Sequence, residues 1–63
     1  MTYLDNQDWL YNIQNLADEA LANATLQQVR DVFIQYGATS PEDLNPSNYE
    51  AVFSELQLLA YNY

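Results

Sequence analysis

The chain has 63 residues, 49% of them apolar and 14% aromatic, and sets nine carboxylates against a single base, Arg30, for a net charge of −8. It holds no cysteine and no histidine, which excludes disulfides, thiolate and imidazole chemistry and the common zinc ligand sets. Polyanions attract lysine- and arginine-rich surfaces, so this balance argues against direct binding of nucleic acid or an anionic membrane and points to a basic protein partner.

Helical periodicity dominates from the start of the chain. Trp9, Ile13, Leu16 and Ala20 follow a 4, 3, 4 spacing, with Leu10, Ala17 and Leu21 beside them, which predicts an amphipathic helix over roughly residues 3 to 22. Its opposite face carries Asp5, Asp8, Asn12, Asn15, Asp18 and Glu19. Thr25-Leu-Gln-Gln28 reads as a capping box, in which hydroxyl and amide side chains each satisfy the other residue's backbone N–H. A second helix over about residues 26 to 36 follows, with Leu26, Val29, Val32, Phe33 and Tyr36 inward and Gly37 placed to end it in the left-handed conformation.

The stretch GATSPEDLNPSNY, residues 37 to 49, holds the only glycine and both prolines of the chain. Ser40-Pro41 and Asn45-Pro46 each present a capping residue before a proline suited to the first helical position. Two starts so close together leave room for one short turn over residues 41 to 44, with Leu44 inward, before a third helix. That helix carries the stripe Tyr49, Val52, Phe53, Leu56, Leu59 and Ala60. The expected fold is all-α: a compact three-helix bundle with one extra short helical turn, forming one domain over residues 1 to 63.

Such a chain is near the lower size limit for a self-sufficient core, a shortage that a homodimer would relieve. The N-terminal MTYLDNQDWL lacks the basic start and apolar run of a signal peptide, so a cytoplasmic location is expected. In that setting the sequon Asn23-Ala24-Thr25 is a chance match, with Thr25 serving as a cap.

From Thr25 to Leu59 a capped T-L-x-x-V-R helix, a Y-G-A stop and a leucine before P-x-x-Y precede the last amphipathic helix. In this pattern the chain resembles a helical module of small proteins from bacteriophages and mobile elements of Gram-positive bacteria. The resemblance implies a helical fold and a phage-type origin. Such modules usually carry lysines or arginines on the second helix, whereas Gln27, Gln28, Asp31 and Gln35 surround Arg30 here. A nucleic-acid role is therefore not carried over.

No residue set suggests a reaction. Asp18 and Glu19 are helix neighbours pointing about 100° apart, and Glu42 and Asp43 sit where helix starts ordinarily favour acids. No D-x-D-x-D-G calcium loop occurs. The expectation is a non-enzymatic protein without cofactor or metal.

Two features point to partner binding. Asp5, Asp8, Asp18 and Glu19, extended by Glu42, Asp43, Glu50 and Glu55, would either imitate the field of a nucleic acid or simply keep the protein soluble, with Asn15 a further partner-binding candidate on the same helix face. Tyr11, Ile34, Leu58 and Tyr61, with Tyr63 at the end, fall off the core stripes and suggest an interface with a target or a second copy. Arg30 is expected to pair with a carboxylate of another helix, with a buried bridge as the alternative. The leading expectation is a stoichiometric inhibitor of anti-CRISPR or anti-restriction style that blocks a basic nucleic-acid-binding surface. The alternative is an assembly module that homodimerises, or docks on a larger protein, through Ile34, Leu58 and Tyr61.

Overall fold

The computed structural model of the protein describes residues 5–61; the expected helical positions 3 and 4, and Tyr63, lie outside them. The first helix, α1, spans Asn6–Ala20. It starts later than the periodicity suggests because Asp5 is extended and its side chain accepts from the N–H of Asp8 at 2.9 Å. A short carboxylate at this point satisfies an end amide of the helix better than it would extend the helix. At the other end the helix stops at Ala20, and Leu21, expected beside the core stripe, is 42% exposed.

The second helix, α2, spans Leu26–Gln35 and begins with the capping box read from the sequence. Thr25 Oγ1 accepts from Gln28 N at 3.1 Å while Gln28 Oε1 accepts from Thr25 N at 2.9 Å. Leu26 occupies the first turn, at the rim of the packed face, and is 57% exposed rather than buried. At the end of α2, Gly37 adopts φ 76°. Its N–H donates to Ile34 O, and that of Ala38 donates to Phe33 O, both at 2.9 Å. This is a Schellman stop, and the apolar contact that usually accompanies it is supplied by buried Phe33 and Ala38.

The corner holds two 3₁₀ turns where one was expected, Pro41–Asp43 and Pro46–Asn48. Ser40 makes no side-chain cap; Thr39 Oγ1 donates to Asp43 Oδ2 at 2.6 Å instead. Asn45 does cap, accepting from Ser47 N at 3.0 Å, and the N–H of Asn48 closes an i→i+3 bond to Asn45 O at 2.8 Å. The chain therefore leaves Pro46 as a tight turn, and α3 spans Tyr49–Ala60. Leu44, between the turns, points inward with 4% exposure.

The three helices form an up-down-up bundle, with no strand among the described residues. Its core joins Ile13, Leu16 and Ala20 of α1 to Val29, Val32 and Phe33 of α2 and to Tyr49, Val52, Leu56 and Ala60 of α3. Helices α1 and α3 run parallel, as contacts at both ends show. Near their starts the Trp9 ring meets Phe53 edge-on at 5.8 Å and lies 6.4 Å from Tyr49. Near their ends Asn23 Nδ2 donates to Ala60 O at 2.6 Å. The return helix α2 is tied to α3 by the Tyr36 hydroxyl, which donates to Glu55 Oε2 at 2.6 Å.

Side chains such as Leu56 and Leu58 test this packing, being 0% and 72% exposed on the same helix. In urea denaturation followed by circular dichroism, Leu56→Ala should cost about 2 to 5 kcal/mol, and Leu58→Ala should stay within about 0.5 kcal/mol of the parent. For a domain of this size the first loss takes most of the stability, so Leu56→Ala should be largely unfolded at 37 °C.

Candidate functional site

The parallel pairing of α1 and α3 builds a surface that neither helix presents alone. Tyr61, just past the end of α3, donates from its hydroxyl to Glu19 Oε1 at 3.1 Å, joining the outer edges of the two helices. Stepping back 4, 7 and 11 residues from Glu19 gives Asn15, Asn12 and Asp8; the same steps from Tyr61 give Gln57, Ser54 and Glu50. Residues at this spacing share one side of a helix. Two matched rows thus border a polar groove about 16 Å long between the parallel helices. Seven of these eight side chains are exposed, and only Asn12 is half-buried.

Asp8 and Glu50 lie at one end of the groove, in the first turns of their helices, where the helix dipole favours a carboxylate. Amides and a hydroxyl fill the middle, and Glu19 with Tyr61 closes the other end. Tyr11, one turn before Asn15, stands on one border and is 70% exposed; Leu58, one turn after Ser54, stands on the other and is 72% exposed. Asp18 is exposed beside Tyr11 and Asn15. No base lies on either row, and the described surface contains no pocket in which a small substrate would be enclosed. Among the described residues no three carboxylates converge closely enough to hold a metal ion.

Most of the residues expected from the sequence therefore share one surface: Asp8, Tyr11, Asn15, Asp18, Glu19, Leu58 and Tyr61. Asp5 is exposed just before the start of α1, and its carboxylate also serves as the cap of that helix. Ile34 is 57% exposed but stands on α2, on the side turned away from buried Val29 and Phe33. It is thus separate from Leu58 and Tyr61, with which it was grouped. Ser54 and Gln57 were missed as site members, and Glu50 figured only as an extending acid on another helix, because only the direction of α3 relative to α1 brings all three beside the acids of α1. Arg30 is exposed and, among the described residues, makes no ion pair. The nearby carboxylate of Asp31 accepts from Gln27 Nε2 at 2.8 Å instead.

Comparison of the chain with protein-family models, with curated proteins and with solved structures finds no match. The case for function therefore rests on this surface.

One titrating group registers the packing beneath it. The hydrogen bond to Glu55 raises the Tyr36 phenol above its ordinary value of 10.0, with desolvation and the adjacent negative charge acting in the same direction. A raised value means that the folded state holds its proton more tightly than the unfolded chain does, so this contribution is complete below pH 10 and is lost as pH rises beyond it. Between pH 8 and pH 11 the urea midpoint should fall more for the parent than for Tyr36→Phe, which lacks the titrating hydroxyl. Equal falls would show that the bond to Glu55 contributes nothing.

Proposed function

We propose that the chain is a non-catalytic inhibitor of phage or mobile-element type that docks its α1/α3 face on a basic, nucleic-acid-binding surface of a target protein. The observation that carries this reading is the uniform sign of the exposed charge on that face. Asp8, Asp18, Glu19 and Glu50 are all exposed, and no base lies among them. Ordinary solvated helices intersperse both signs, which stabilises them through i,i+4 pairs; this face forgoes that support.

Magnitudes define what kind of imitation this is. Along about 16 Å a duplex presents about ten phosphate charges and a single strand about five, whereas Asp8, Glu19 and Glu50 are the carboxylates lining the groove. The face competes through its overall field, which steers association, rather than by a phosphate-for-phosphate replica. Tyr11 and Leu58 supply the apolar contact that a charged rim by itself lacks, and tyrosine is a frequent anchor in interfaces of this kind. Binding is stoichiometric and turns over no substrate.

The alternative is an assembly module docking through Leu58, whose 72% exposure at the groove border favours it. Salt separates the two readings, since screening acts on charge and not on apolar contact.

The test is capture by the tagged protein from a bacterial lysate at low and high salt, compared with an Asp8→Asn, Asp18→Asn, Glu19→Gln variant. Gln at position 19 keeps an acceptor for Tyr61, so the fold should be retained. A basic nucleic-acid-binding protein should be captured at low salt, displaced by duplex DNA, and retained about tenfold less by the variant. Capture that survives both high salt and the triple substitution would overturn the reading.

A further inference from the structure

Helix α2 differs from the rest of the molecule in charge. It carries Arg30 and Asp31 and is neutral, whereas Asp5, Asp8, Asp18, Glu19, Glu42, Asp43, Glu50 and Glu55 all lie elsewhere, on the other elements or, for Asp5, at the cap of α1. Two copies each bearing a net charge of −8 repel least in the approach that turns these neutral faces together and keeps the acids of the other elements farthest apart. That face also carries apolar surface. Leu26 and Ile34 are each 57% exposed and lie one turn before and one turn after Arg30 on the same side of the helix. The guanidinium between them has no ion-pair partner within its own chain among the described residues, although nine carboxylates are available.

From this arrangement we infer that the outer face of α2 is a self-association surface whose occupant is the same face of a second copy, related by a two-fold axis near Arg30. An antiparallel pairing of the two helices sets Leu26 of each copy against Ile34 of the other at both ends of the contact. In the middle, Arg30 of each copy comes within reach of Asp31 of the other, giving two reciprocal pairs. Gln27 holds the Asp31 carboxylate on this side through its 2.8 Å hydrogen bond. A contact is isologous when one patch complements itself in this way, and adjacent opposite charges on an antiparallel helix satisfy that condition.

The contact is small. α2 is 10 residues long, about 15 Å, so the interface falls below the standard size of stable complexes and the dimer is weak and concentration-dependent. In the dimer the α1/α3 faces remain outside the contact, so each dimer presents two of them. This inference does not rest on the proposed inhibitor function, since it concerns the protein alone.

Sedimentation equilibrium of the full chain in physiological salt, from micromolar to millimolar concentration, tests it directly. The weight-average mass should rise from 7.3 kDa toward twice that value. Ile34→Asp and Arg30→Asp should each raise the dissociation constant about tenfold or more, because each sets an unpaired carboxylate in the contact. Exchanging the pair, Arg30→Asp with Asp31→Arg, should restore association, and circular dichroism should show the same helix content in every variant. The inference is overturned if the parent stays at monomer mass throughout. It is equally overturned if association persists in Ile34→Asp and Arg30→Asp, or is abolished instead by Leu58→Asp alone.

Discussion

The parallel clamp between α1 and α3 is the constraint on which the rest of this small protein depends. At one end the Trp9 ring wedges edge-on against Phe53, and at the other Asn23 donates to the Ala60 carbonyl. Fully buried Ile13, Val52 and Leu56 fill the core beside the clamp, and each contributes about 1.5 to 3 kcal/mol by leaving water. With so few such side chains, a mispaired helix could not be compensated elsewhere. Two parallel helices joined in sequence require a return path, and the ten residues of α2 with the proline corner provide it.

The stops and starts along that path are unusually explicit. Among the described residues Gly37 supplies the one positive φ, a cost that any residue with a Cβ would feel as backbone strain even though no neighbouring atom crowds the position. The two prolines then fix successive tight turns, and Leu44 anchors the corner to the core between them. Short elements of this kind hold only because their ends are satisfied; an uncapped helix of ten residues would be marginal in water.

Charge divides the surface into two regions of different character. The α1/α3 side gathers the exposed acids Asp8, Asp18, Glu19 and Glu50 without any base among them. The α2 side is neutral and bears the exposed aliphatic side chains Leu26 and Ile34. Both regions follow from how the helices are turned, because the core stripe of each helix fixes which residues remain outside. No helix among the described residues is long and apolar enough to cross a membrane.

By itself the sequence determined what is local. The 4, 3, 4 stripe of Trp9, Ile13, Leu16 and Ala20, the Thr25 capping box, the Gly37 stop and the inward Leu44 all depend on a few consecutive residues and the period of a helix, and the structure contains each of them. Local competition decided the finer departures: Asp5 caps rather than extends α1, Ser40 leaves its capping role unfilled, and Leu26 sits at a rim where packing ends. The candidate site was only half legible, since spacing groups Asp8, Asn15 and Glu19 on α1 but cannot say what lies beside them. Helix direction across long sequence separations is set by core packing, and it alone put Glu50, Ser54 and Gln57 beside the acids of α1, joined Tyr61 to Glu19, and left Ile34 with Arg30 on another side of the molecule.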